Sequence, residues 1–193
     1  MRLKTTIIFL VLTLCLNNLW AGEIQGKVFT RKIKSLEDVL IYIENVAGKD
    51  FLPPVGSPKM DQKNLVFVPR VLPVLKGTTV EFHNNDNARH NVLGAGTDSF
   101  DVGTCGQGVT KSHTFNKLGE VAILCNIHTE MEAFVVVLQN PYFVLADKEG
   151  NYKIENVPAG IYKLRTWHDK LKPQIKEITV PEQGSVAVDF NPP

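Results

Sequence analysis

Apolar and polar residues alternate along much of this chain with a period of two, in runs short enough for strands and too short for helices. The alternation is plain in residues 23–29, 39–43 and 78–82, where every second side chain faces a core if the segment is extended. Further strand-like runs lie at 109–115, 121–124, 133–138, 152–154, 161–164, 175–180 and 186–190. Between them stand turn signals: Leu75-Lys76-Gly77, Lys117-Leu118-Gly119, Asp147-Lys148-Glu149-Gly150 and Val157-Pro158-Ala159-Gly160. No stretch keeps a helical period beyond a single turn at Ser35-Leu36-Glu37-Asp38. Short strands at this spacing predict an all-β chain built of sandwiches.

The pattern breaks twice. Phe51-Leu52-Pro53-Pro54-Val55-Gly56-Ser57-Pro58 reads as a linker, and Gln139-Asn140-Pro141 as a second junction. Residues 51–139 between them form one expected domain, about the size of a small sandwich. The outer pieces, 22–50 and 140–193, are expected to belong together, because the C-terminal piece alone is marginal for a core of its own. At the start, Arg2 and Lys4 precede an apolar run from Ile7 to Leu16, and Leu19-Trp20-Ala21 offers a small residue for cleavage. That predicts an export signal over 1–21, too short to span a bilayer, and a mature chain without a membrane span in the periplasm. Cys15 ends Leu12-Thr13-Leu14-Cys15, which lacks the small residue a lipid-attachment box wants, so cleavage after Ala21 is favoured over lipidation. Lys and Arg number 21 against 20 Asp and Glu, a balance that argues against nucleic acid or a strongly anionic surface as partner.

Candidate chemistry concentrates in Cys125-Asn126-Ile127-His128-Thr129-Glu130-Met131, with His90 upstream in Arg89-His90-Asn91-Val92. A thiolate, two imidazoles and a thioether are the donors of a blue-copper site, trigonal Cys/His/His with a weak axial Met. Taken singly, each residue also has a bland reading. Cys125 follows the apolar run Val121-Ala122-Ile123-Leu124 as a buried thiol would, and Met131 opens another apolar run. Together, in this order on one loop, they favour a metal. After cleavage two cysteines remain, Cys105 and Cys125, and in an oxidising compartment a disulfide between them competes with copper. Glu130 and Glu132 read as solvated surface groups, and His83, His113 and His168 as surface or structural. Neither a Ser/His/Asp arrangement nor a glycine-rich phosphate cradle is present, so no enzyme is expected.

Two resemblances add to this. Val80-Glu81-Phe82-His83-Asn84-Asn85-Asp86 leading to His90-Asn91-Val92, then Leu118-Gly119-Glu120-Val121 leading to the Cys125 loop, resembles the cupredoxins over roughly 59–138. Two residues between Cys and His and two between His and Met resemble the short ligand loop of the amicyanin branch rather than the longer one of plastocyanin. The resemblance implies a Greek-key β-sandwich holding one copper ion by His90, Cys125 and His128, with Met131 axial and Asn91 holding the ligand loop by hydrogen bonds. In the same pattern the run Gly103-Thr104-Cys105-Gly106 would lie near the copper, which gives Cys105 three readings: a spare thiol near the site, a disulfide partner of Cys125 when metal is absent, or an extra ligand. The outer pieces, with Ile24-Gln25-Gly26-Lys27-Val28 and Ala146-Asp147-Lys148-Glu149-Gly150-Asn151-Tyr152, resemble the transthyretin-like regulatory module of carboxypeptidases. It carries no zinc motif here, and the copper domain would be inserted within it. Chains of this combined kind are similar to proteins labelled methylamine utilisation.

The function implied is an exported, monomeric, mononuclear type 1 copper protein. It would carry single electrons between transient periplasmic redox partners, with His128 as the exit edge and Ile127 in an apolar docking patch. The alternative is a periplasmic copper-binding protein for storage, delivery or sensing. A third class, a structural adhesion or carbohydrate-binding protein with a vestigial metal loop, is disfavoured by the completeness of the ligand set.

Overall fold

The computed structural model describes residues 21–193; most of the expected export signal, and with it Cys15, lies outside the described residues. Every regular element among them is a strand: β1 (Ala21–Lys27), β2 (Leu40–Ile43), β3 (Lys59–Lys63), β4 (Val66–Val68), β5 (Val71–Leu75), β6 (Thr78–Asn84), β7 (His90–Gly96) and β8 (Phe100–Cys105). The rest are β9 (Thr110–Phe115), β10 (Gly119–Leu124), β11 (Glu132–Leu138), β12 (Phe143–Leu145), β13 (Asn151–Pro158), β14 (Gly160–Trp167), β15 (Ile175–Val180) and β16 (Ser185–Ala187). None of them is a helix long and apolar enough to cross a membrane.

Two sandwiches result. The first stacks a sheet ordered β13-β1-β16 against one ordered β12-β2-β14-β15, so strands from the two ends of the chain pair with each other. Alternate residues of β1 and β13, Ile24 and Ile154 among them, meet Ile41, Leu164, Ile178 and Phe190 in its core. The second stacks β5-β11-β10-β7-β8 against β4-β3-β6-β9. Its core is drawn from inward residues such as Met60, Phe82, Phe115, Ile123 and Val135. The two crossings between sandwiches lie side by side. Gln139 accepts the Val46 amide at 3.1 Å and donates to the Lys49 carbonyl at 2.7 Å, while buried Asn140 donates to the Ile43 carbonyl at 2.8 Å.

A third apolar cluster, Leu40, Val71, Val136, Leu138 and Trp167, forms the seam between the sandwiches. Phe134 meets Trp167 edge-on with centroids 5.4 Å apart. Arg70 clamps Asp169 through two hydrogen bonds, 3.1 and 2.7 Å, reaches Asp38 at 3.4 Å, and lies over the Phe134 ring.

The structure contains six strands that alternation did not predict: β3, β4, β5, β7, β8 and β12. The reasons are local. In β3 the inward positions hold Met60 and the amide Gln62, so the core face is not uniformly apolar. In β7, Gly94 leaves space for the Phe100 ring, which an added Cβ would meet at 2.2 Å. β5 carries Pro73, tolerated because the strand lies at the sheet edge.

Candidate copper site

The site sits where β7 begins and where β10 hands over to β11. His90 is the first residue of β7 and fully buried; Cys125 directly follows β10; Met131 directly precedes β11. The segment between the last two is drawn tight by its own backbone. The Cys125 amide donates to the Met131 carbonyl at 3.4 Å, and the Met131 amide to the His128 carbonyl at 3.0 Å. Such a loop leaves its side chains little freedom, and Cys125 and Met131 are both buried in the core of the second sandwich.

His90, Cys125 and His128 bring one ligand atom each to within 4.8 Å of one another, the group of metal-type donors found among the described residues. The Nδ1 atoms of His90 and His128 are 3.1 Å apart, and His90 Nδ1 is 3.9 Å from Cys125 Sγ. The tautomer of His90 follows from its other nitrogen, because Nε2 lies 2.8 Å from the Asp86 carboxylate. A carboxylate only accepts, so the proton is on Nε2 and Nδ1 presents a bare lone pair. Two converging imidazole nitrogens in a buried pocket repel unless a proton or a metal ion stands between them. The sulfur is held from two sides: the amides of Asn91 and His128 each donate to Sγ at 3.4 Å.

Asp86 itself is held by two backbone amides, Leu65 N at 2.9 Å and Asn64 N at 2.6 Å. The Leu65 amide first, then His90 and the Asn64 amide, keep its carboxyl below the usual carboxylate range. Asn91 contributes its backbone to the sulfur, but its side chain turns away from the ligand loop and donates to Asp101 at 2.8 Å. Asp101 also takes the Gly103 amide at 2.7 Å, so this pair braces β7 against β8. Cys105 stands directly across from His90 in the β7–β8 register, buried and unbridged. It is not one of the three clustered donors. Burial raises the pKa of its thiol, and Asn84 holds its carbonyl at 3.0 Å.

The remaining expected residues lie elsewhere. Glu130 and Glu132 are exposed. His83 pairs with Glu81 at 3.0 Å, and His113 pairs with Asp98 at 3.2 Å while stacking on Phe100. His168 is buried in the first sandwich beside Asp169, lining a crevice shared with Glu132. Sequence reasoning missed Asp86, whose position four residues before His90 was the one available signal.

Residues 55–138 match the model of a family described as copper binding proteins, plastocyanin/azurin family. That segment is cupredoxin-like. The match takes in less than half of the chain, and no curated protein sequence matches it significantly. Among solved structures, the copper-containing nitrite reductase from Thermus scotoductus SA-01 is 28% identical over 50% of this chain and 25% of its own, with a TM-score of 0.42. This chain thus spans only a quarter of that reductase. The Cu(I) form of a point mutant of amicyanin is 27% identical over 44% of this chain and 84% of its own, with a TM-score of 0.41. A purple cupredoxin from Nitrosopumilus maritimus is 20% identical over 42% and 99%, with a TM-score of 0.39. At scores of this size the likeness covers part of the chain and carries no further weight. Copper is the metal the matched family binds, and His90, Cys125, His128 and Met131 of the cupredoxin-like segment form a candidate type 1 copper site.

Proposed function

We propose that this chain is a one-electron carrier that holds a single copper ion through His90, Cys125 and His128, with Met131 as the weak axial donor. The observation that carries the reading is the convergence of two Nδ1 atoms on a sulfur that accepts two backbone amides. Bound copper supplies a centre that takes up and releases one electron. The chain's contribution is to keep the donors still while it does so. His90 is pinned from behind by Asp86, Cys125 by two amides, and Met131 by the hydrogen bonds that close its loop. Donors that need not move between oxidation states keep reorganisation small. A carrier, and not an enzyme, is the reading supported by a donor set so largely buried in core.

Docking is read from the loops around His128, the one half-buried ligand. Ile127, next to His128 in the loop, is apolar and 46% exposed, and Leu65, Val66 and Val109 on other segments are 41–49% exposed. Leu65 and Val109 are tied by backbone bonds to Asp86 and Asn84, beside the site. A small apolar rim of this kind suits brief encounters with redox proteins. We further read residues 22–50 and 140–193 as a transthyretin-like sandwich interrupted by the copper domain of 51–139. The pairing of β1 with β13 and of β2 with β14 supports this. An export signal over 1–21 and a periplasmic, monomeric mature chain complete the reading. The second reading, copper storage, delivery or sensing, draws support from Cys105, a second thiol facing the buried histidine.

The test is the visible spectrum of residues 22–193 titrated with Cu(II) after thiol reduction, beside the Cys125→Ser variant. An intense band saturating at one copper per chain, lost in that variant, and a reversible one-electron couple are expected. Tight Cu(I) binding with no such band and no couple would move the assignment to metal handling.

A further inference from the structure

We propose that Asp86 is a positioning residue for the copper ligand His90, and that the β3–β4 hairpin is shaped to hold it there. The proposal rests on the copper reading above and extends it to a part of the chain outside the ligand loop. One carboxylate takes three donors from two directions. Its Oδ2 accepts His90 Nε2–H at 2.8 Å and the Leu65 amide at 2.9 Å, and its Oδ1 accepts the Asn64 amide at 2.6 Å.

The hairpin tip adopts an unfavoured conformation to do this. Asn64 and Leu65 have φ of 56° and 59°, left-handed backbone that asparagine tolerates and leucine seldom adopts. Successive residues in such a turn aim neighbouring N–H groups at one anion, and here the anion is Asp86. From the other side, the Asp86 amide donates to Asn84 Oδ1 at 2.9 Å, and Asn84 Nδ2 donates to the Ala88 carbonyl at 2.9 Å. The turn that carries Asp86 to His90 is thereby closed at both ends.

Two consequences follow. The imidazole is held in one tautomer and one orientation by a group that is itself immobilised. A negative charge also stands behind a ligand, favouring the more positive copper state and lowering the reduction potential. Leu65 and Val66 lie on the same hairpin and are exposed, so a partner seated on the rim touches the segment that holds the ligand.

The test uses the mature chain with Asp86→Asn and Asp86→Ala. In metal-free protein, a ¹H–¹⁵N spectrum should show an exchange-protected His90 Nε2 proton in the wild type that is lost in Asp86→Ala. With copper bound, Asp86→Asn should keep the thiolate band. It should also shift the balance between the two copper states about tenfold toward Cu(I), a rise of about 59 mV for a one-electron couple. An unchanged midpoint potential in both variants, even with a lower melting temperature, overturns the positioning role, as does an Nε2 proton still protected in Asp86→Ala. A wild-type chain without a thiolate–copper band fails the copper reading instead, and the proton measurement then decides the positioning role alone.

Discussion

Gln62 lies in the core of the second sandwich, fully buried, and neither its amide nitrogen nor its amide oxygen has a hydrogen-bond partner. It occupies the inward face of β3 beside Met60, across from Phe67 on β4 and Asn84 on β6. An unmatched buried polar group costs about 1–3 kcal/mol, and burying a whole amide without compensation costs more. Leucine has a similar volume and no polar atom, so Gln62→Leu should remove that cost and add apolar contact. The expected gain is about 2–3 kcal/mol. With a urea slope of about 2 kcal/mol/M for a unit of this size, the midpoint should rise by about 1–1.5 M. Urea titration of the metal-free chain, followed by fluorescence and by circular dichroism, measures it. A variant no more stable than the wild type refutes the reasoning, because it would mean that the carboxamide's hydrogen-bonding capacity is met in solution.

Two further outcomes are expected. Burial lowers the pKa of His168, whose Nδ1 accepts the Lys170 amide at 3.0 Å, so the native state resists taking up its proton. The unfolded chain protonates at about pH 6.5. Stability should therefore fall as pH drops below that value, and His168→Asn should flatten the fall in urea midpoints between about pH 7.5 and 5; an unchanged slope would count against it. Arg70→Ala removes the paired hydrogen bonds to Asp169 and the contact with Phe134 at the seam. Arg70 is partly exposed, so the loss should be about 1–2 kcal/mol. It should also separate the unfolding of the two sandwiches, visible as two steps in calorimetry.

The ligand loop was readable because its chemistry is local: Cys125, His128 and Met131 lie within one turn of chain, and their residue types carry the metal preference directly. His90 was readable because the soft-donor set needed a fourth member. The pinning of His90 by Asp86 is a local contact across four residues, whereas the place of Cys105 opposite His90 depends on strand register, which alternation does not encode. The amides of Asn64 and Leu65 reach Asp86 only because β3 pairs with β6 in parallel, a contact between segments about twenty residues apart. The polar inward position at Gln62 hid β3 for the same reason that it now stands out. The side chain of Asn91 shows the limit of a resemblance: its backbone serves the sulfur, while its carboxamide braces Asp101.

Because β1 pairs with β13 and β16, and β2 with β12 and β14, all beyond the second sandwich in sequence, the first sandwich is a ring whose clasp is the entire second sandwich. Closing so long a loop from a disordered chain carries an entropic cost that grows with its length. Once the second sandwich has formed, its two ends emerge together, joined by Gln139 to Lys49 and by Asn140 to Ile43. The long loop then behaves as a short one. The second sandwich is thus a prerequisite for economical assembly of the first, and its integrity governs how readily strands separated by most of the sequence can meet.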